Sequence, residues 1–321
     1  MTFPPALQTG IDEIIGGVSP PELERSSRAL SAAYRAGGPS AARAARTPGD
    51  VAAYLTTRAP ATYAAAAEVF AQIGALRPGW APASVLDLGA GTGVATWAAI
   101  ETWREISTVT LGEVEPEMAR AGQRLAARGP ESLRRATWAV SEGVAPGRKA
   151  DLVVLSYVLG ELAPTALGTF VEHAWGRTSD TLVLIEPGTT TGYQRTLVAR
   201  AAVIAAGGST LAPCPHDAPC PLPEGDWCHF AIRLPRSRAH RRAKQAERGF
   251  EDEKFSYVAL GRSARERPTA RVIRRPDQRP GHVVLELCTT SGLEQRTVSR
   301  SEGSDYRAAK KVRWGDPLTS G

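Results

Sequence analysis

The sequence is poor in cysteine, with four among its 321 residues, so a disulfide framework cannot carry the fold. It has no long apolar run either. The longest stretch without a charged side chain, Ala201 to His216, is sixteen residues broken by glycine and proline, whereas a membrane-spanning helix needs roughly 20 apolar residues. No membrane segment is expected. The amino terminus, MTFPPALQTGID, lacks a basic segment followed by an apolar one, which leads to the expectation of a cytoplasmic protein without an export signal. Hydrophobic residues at 42% and charged residues at 22% are ordinary for a globular chain, which excludes wholesale disorder. The length suits one large domain or a main domain with additions, and a monomer is expected.

Charge is distributed unevenly. Met1 to Cys228 holds 18 Lys+Arg against 22 Asp+Glu, whereas His229 to Gly321 holds 21 against 11. Arg233, Arg236, Arg238, Arg241, Arg242, Lys244 and Arg248 face a single acid, Glu247, between His229 and Phe250. Such density attracts polyanions, nucleic-acid phosphates among them, unless it is only a solvated surface.

Three regions follow from the pattern: a helical stretch over 1–80, a core over 81–208, and an extension over 209–321. In the first, Pro21 with Glu22 and Glu24 reads as a helix start, Gly37 to Pro39 as its break, and Thr62 as the cap of an alanine-rich helix. RTPGDVAAYLTTRAPATY contains too many breakers for one helix. The core alternates the short apolar runs SVLDLGAG, TVTLGEVE, RATWAVSEG, ADLVVLSYV and TLVLIEPG with helical spacers, which predicts a parallel, doubly wound α/β sheet. The extension adds the strand-like runs KFSYVAL and GHVVLELCTT and a polar strand around Glu294 to Ser299.

The sequence Asp87-Leu88-Gly89-Ala90-Gly91-Thr92-Gly93 closes the first strand and opens a helix, so backbone amides face whatever binds there. A third glycine at the spacing of a dinucleotide fingerprint is missing, since Val94 occupies that position, and no GxxxxGK[ST] sequence is present. Glu113 lies at the end of the second strand, where a carboxylate can accept both hydroxyls of a ribose. A nucleoside without a pyrophosphate is therefore the expected ligand. The arrangement resembles the class I S-adenosylmethionine methyltransferase (Rossmann-like) fold. By that resemblance Asp87, Gly89, Gly91 and Gly93 form its first cofactor motif, Glu113 and Met118 its second, and Ser141 and Glu142 take the place that contacts adenine. The Asn/Asp-Pro-Pro-aromatic sequence of amino-methylating families is absent after the fourth strand, where Ser156-Tyr157-Val158-Leu159-Gly160-Glu161 stands instead.

Cys214, Cys220 and Cys228 share one loop with spacing C-x5-C-x7-C, and Cys288 ends a later strand. Grouped cysteines in a reducing compartment point to a metal site, and four thiolates suit zinc or an iron–sulfur cluster. Short C-x2-C knuckles are lacking, and wide spacings suit the larger cluster better. His216 and His229 are substitute ligands for zinc or outer partners of the site.

Together YLTTRAPATYAA, SVLDLGAGTG, DLVVLSYVLGEL, LIEPGTTTGY, APCPHDAPCPL, DWCHF and the closing WGD resemble the Rsm-type ribosomal small-subunit methyltransferase-like family, from about Ala52 to Asp316. The resemblance implies S-adenosylmethionine as cofactor and a [4Fe-4S] cluster on Cys214, Cys220, Cys228 and Cys288, with zinc as the alternative. It implies the small ribosomal subunit and its rRNA as partners, and a role in subunit assembly with or without methyl transfer. The cluster is expected to pin the cysteine loop to the strand ending in Cys288 and so orient the arginine-rich segment. Competing readings are a catalytically inactive assembly factor, an iron or redox sensor, and a methyltransferase of a small molecule or protein.

Overall fold

The computed structural model describes residues 3–36, 45–140, 147–244 and 247–318. The expected break at Gly37 to Pro39 and the residues Ser141 and Glu142 lie outside them. Four helices come first: α1 (Pro5–Gly16), α2 (Pro20–Ala36), α3 (Pro48–Thr57) and α4 (Ala59–Leu76). Helix α3 opens on a capping box, in which Thr47 and Asp50 satisfy each other's free backbone N–H. The breaker-rich stretch is two helices that meet at Arg58, because Pro60 in the first turn of α4 brings no N–H to continue α3. Thr62 is not the cap of α4. Arg58 is the capping residue, and Thr62 already donates its backbone N–H to the Arg58 carbonyl inside the first turn.

Strands β1 (Ser84–Leu88), β2 (Thr108–Glu113), β3 (Thr137–Val140), β4 (Ala150–Ser156) and β5 (Thr178–Pro187) follow, interleaved with helices α5 (Val94–Thr102), α6 (Pro116–Ala126), α7 (Glu131–Arg134) and α8 (Leu167–Gly176). Helix α9 (Thr190–Ala205) comes next, then β6 (Ser209–Ala212), β7 (Phe230–Pro235), α10 (Arg238–Lys244) and β8 (Phe250–Gly261). In space the sheet runs β3-β2-β1-β4-β5-β8-β6, with β7 paired to β8. The first five strands are parallel, and β8 enters antiparallel between β5 and β6. The first strands after residue 208 thus complete the main sheet. A second, smaller sheet consists of β9 (Ala270–Val272), β10 (Asp277–Arg279), β11 (His282–Thr289), β12 (Gly292–Ser299) and β13 (Pro317–Leu318), with α11 (Ser304–Ala309) packed against it.

Alternation along the strands divides the core into two layers. Val154, Val183, Ile185, Tyr257 and Ala259 face the amino-terminal helices with α5 and α6. Val153, Leu155, Leu182, Leu184, Val258 and Leu260 face α8 and α9. The amino-terminal helices therefore share a core with the sheet. Close approach is built in on that side: a Cβ on Gly122 of α6 would lie 2.1 Å from the Trp138 ring of β3, so only glycine lets this helix lie so near the sheet.

Candidate cofactor cleft and cysteine site

The glycine loop leaves β1 through three residues in left-handed conformation, Gly89, Gly91 and Gly93, with φ of 72°, 58° and 76°. An L side chain is strained at each. At Gly89 the obstacle is also steric, since a Cβ would meet Val158 at 2.3 Å. Glu113 fastens the loop from the end of β2: one oxygen accepts the Gly91 N–H at 2.6 Å and the other the Glu115 N–H at 2.8 Å. Each carboxylate oxygen retains a lone pair. Asp87 is fully buried; one oxygen accepts the Thr96 hydroxyl at 2.6 Å and the other has no partner among the described residues. Burial pushes Asp87 up to about 7 and raises Glu113 as well. Met118, at the start of α6, packs beside Gly91.

Gly89, Gly91, Glu113 and Met118 border a cleft of about 610 Å³, within the range of small-molecule sites. Its far wall was not legible in the sequence. Tyr34 and Arg58 come from the amino-terminal helices, with the guanidinium 5.2 Å from the ring centroid, and Glu186 and Arg195 come from β5 and α9. The Tyr157-to-Glu161 segment after β4 supplies the floor. Tyr157 holds φ 59°, a conformation uncommon for a non-glycine residue, and donates its hydroxyl to Glu253 at 2.9 Å. Glu186 accepts the Leu159 N–H at 3.0 Å, and its other oxygen lies 3.6 Å from Arg195. Glu161 is pushed up to about 8, by burial first and then by the charges of Glu113 and Glu186. The cleft therefore gathers carboxyl groups that burial keeps from ionising, and a cationic ligand would favour their ionised form.

Cys288 joins the three loop cysteines from a distant part of the chain. Cys214 follows β6, Cys228 precedes β7, and Cys288 lies in β11 opposite Arg271 of β9. With Cys220 they line one cavity, walled also by Tyr193, Leu222, Val258 and Ile273. Tyr193 donates its hydroxyl to Cys220 at 3.1 Å, and the His216 ring nitrogen lies 3.6 Å from the Cys288 sulfur. All four are free thiols. Burial first, with the nearby thiols adding to it, raises Cys214 and takes Cys288 up to about 12. No group of three or more His, Cys, Asp or Glu among the described residues is placed to hold a metal ion. The loop is held independently of any metal: Arg274 grips Asp226 with two short bonds, Ser256 donates to the Cys228 carbonyl, and Trp227 donates to the Gly188 carbonyl. His229 stacks on Trp227 and meets Trp314 edge-on, so the distant DWCHF and WGD elements form one wall.

The basic segment divides. Arg233 pairs with Asp252 and Arg236 with Glu251, so these two cations are neutralised. Helix α10 turns His240 and Ala243 inward, against α2 and α3, and leaves Arg238, Arg241 and Arg242 exposed. The amino-terminal helices and the β7–β8 pair, rather than the cysteine loop alone, set where this helix lies.

A parallel sheet in the order 3-2-1-4-5, closed by an antiparallel strand between the fifth and the last and carrying a glycine loop with an acidic residue at the end of β2, defines a class I methyltransferase fold. The model of the family described as mitochondrial small ribosomal subunit Rsm22 matches residues 48–319, and the chain belongs to this family. It is similar to the human mitochondrial ribosome assembly protein METTL17, 30% identical over 285 residues, which cover 83% of this chain and 61% of that protein. It is also similar to the mitochondrial Rsm22-cox11 tandem protein 2 of Schizosaccharomyces pombe, 26% identical over 72% of this chain and 38% of that protein. The chain thus spans about three fifths or less of the length of these relatives. Among solved structures it is similar to the magnesium protoporphyrin IX methyltransferase of Synechocystis with bound SAM, at 16% identity and a TM-score of 0.42 over 63% of this chain and 80% of that one.

Burial lifts Glu161 from an ordinary value of 4.5 to about 8, so the folded chain holds this proton more tightly than the unfolded chain does. That contribution to stability is complete below about pH 4.5 and lost as pH rises through about 8. Glu161→Gln is expected to stabilise the ligand-free protein at pH 8 by on the order of 1 kcal/mol and to flatten its stability between pH 6 and 8. Thermal melts across that range check it. A variant that melts below the wild type at pH 8 would contradict the assignment of a buried, proton-holding carboxyl.

Proposed function

We propose that this protein binds S-adenosylmethionine in the carboxylate cleft, carries a [4Fe-4S] cluster on its four cysteines, and associates with the small ribosomal subunit to support its assembly. The observation that carries the reading is the gathering of Cys214, Cys220, Cys228 and Cys288 around one cavity within a chain of the Rsm22 family. Zinc would need four sulfurs about 2.3 Å from one point, whereas a cubane spreads its thiolates over four irons; thiols on the walls of a cavity suit the second. The names of the relatives support the ribosomal role.

Bound in the cleft, S-adenosylmethionine supplies a methyl group already activated by its sulfonium charge. The residues of the chain would do the rest by placement. The glycine loop offers room, since the N–H groups of Gly89, Ala90, Gly91 and Gly93 are already bonded within the chain. Glu113 has acceptor capacity for the ribose hydroxyls, and Glu161 and Glu186, on giving up their protons, would face the cation. Arg58 and Arg195 stand opposite as donors for a carboxylate. The exposed Arg238, Arg241 and Arg242 give a site for phosphates that does not share residues with the cleft.

Calorimetry is expected to show binding of S-adenosylmethionine, weakened by about 1 to 3 kcal/mol in Glu113→Ala, where ribose hydroxyls lose an acceptor. No heat with either the cofactor or its demethylated product would leave the cleft without this ligand. Purified without oxygen, the protein should hold about four irons per chain, and Cys288→Ser should lose iron as fully as Cys214→Ser despite its distance in sequence. Stoichiometric zinc without iron would refute the cluster. Replacing Arg238, Arg241 and Arg242 with Ala should weaken co-sedimentation with the small subunit and make its salt dependence shallower by about 0.7 to 0.9 in slope per lost phosphate contact. An unchanged slope would move weight to a methyltransferase of a small molecule or protein.

A further inference from the structure

Two arginines the sequence did not single out line the cysteine cavity, Arg200 of α9 and Arg271 of β9. Both are buried, at 5% and 1% exposure. Arg200 donates Nη2–H to the carbonyls of His216 and Ala218, at 2.6 and 3.0 Å. Arg271 donates Nε–H to the Pro213 carbonyl at 2.9 Å, and Nη1–H to the Gly315 carbonyl at 2.7 Å and the Gln72 amide oxygen at 3.2 Å. Every one of these acceptors is neutral. Each guanidinium also keeps one buried nitrogen without a partner among the described residues, Nε of Arg200 and Nη2 of Arg271.

A buried cation with neutral acceptors and an unused N–H is costly. Two of them around one cavity need an explanation in what that cavity holds. Its other walls, Leu197, Leu222, Val258 and Ile273, offer no negative charge, and its thiols are neutral when protonated. A cluster with four thiolate ligands carries roughly two net negative charges in its oxidised form and presents sulfur atoms that accept hydrogen bonds. Two guanidinium cations match that charge.

Resting on the cluster reading above, we propose that Arg200 and Arg271 are its charge-compensating donors, giving Arg200 Nε–H and Arg271 Nη2–H to cluster or cysteine sulfurs and raising its reduction potential. Positive charge and N–H···S bonds favour the more negative, reduced cluster. The carbonyl bonds of the same side chains hold the loop before the cluster arrives: Arg200 grips the segment between Cys214 and Cys220, and Arg271 grips the residue preceding Cys214. They are positioning residues for the cysteines as well as partners of the group.

The test is a redox titration of the anaerobically purified full chain, followed by electron paramagnetic resonance, with iron measured on the same samples. Arg200→Gln and Arg271→Gln should retain most of the iron yet move the midpoint to more negative potential. The expected change is about tenfold in the reduced-to-oxidised ratio at a given ambient potential, or about 59 mV for one electron. Arg200→Lys and Arg271→Lys keep the charge and should shift less, while still altering the iron–sulfur stretching bands in resonance Raman spectra because the fork of N–H donors is gone. Should a Gln variant fail to fold, the Lys variants decide. Full iron with the wild-type midpoint in the Gln variants overturns the proposal, as do wild-type stretching bands in both Lys variants. A wild-type chain that holds no iron removes the cluster reading itself, and that outcome is seen before any variant is made.

Discussion

The side chain of Arg271 reaches three parts of the molecule at once: Pro213 ahead of the first cysteine, Gly315 near the carboxy terminus, and Gln72 on α4. Gln72 in turn accepts the Tyr257 hydroxyl from β8 at 2.6 Å. This buried cation therefore couples the small sheet to the main sheet and to the amino-terminal layer, and it does so at the point where the cysteine loop enters. Through the β9–β11 register the same residue stands opposite Cys288. Moving it would disturb the fourth thiol together with the first.

The cofactor cleft is governed by the opposite sign. Asp87, Glu113, Glu161 and Glu186 are held where water is scarce, and burial raises all four. Among the described residues Glu186 has an arginine, Arg195, near enough to oppose the shift. The two sites thus divide the charge of the interior. Carboxylates gather at the carboxyl ends of β1, β2, β4 and β5, and guanidinium groups gather around the thiols behind β6 and β8. Each suits a ligand of the complementary sign, a sulfonium in the first and an anionic cluster in the second.

The basic surface is a third and separate feature. Its cations are partly consumed by the β7–β8 pair, where Arg233 and Arg236 meet Asp252 and Glu251 across the hairpin. What remains exposed on α10 is carried on the amino-terminal helices α2 and α3, which also supply Tyr34 to the cofactor cleft and end at Arg58. Ligand binding in the cleft and the placement of the basic helix therefore depend on the same helical layer.

Legible in the sequence were the five strands of a parallel sheet, the glycine loop with its acid at the end of β2, the break of the breaker-rich stretch, and the grouping of the cysteines. These are local signals: period-two alternation, glycine where φ must be positive, and proline where a helix cannot continue. What tertiary structure decided is contact between segments that carry no local mark of it. Thr62 looked like a cap because threonine often is one, but the preceding helix already fixed the start of α4 at Arg58. Residues after 208 looked like an extension, yet β8 and β6 complete the main sheet, because an antiparallel strand has no sequence period that names its neighbour. Arg200 and Arg271 read as two among many arginines in an arginine-rich chain. Burial sets them apart from all but Arg77, and Arg77 has Asp180 as its partner; burial is a property of the packed chain.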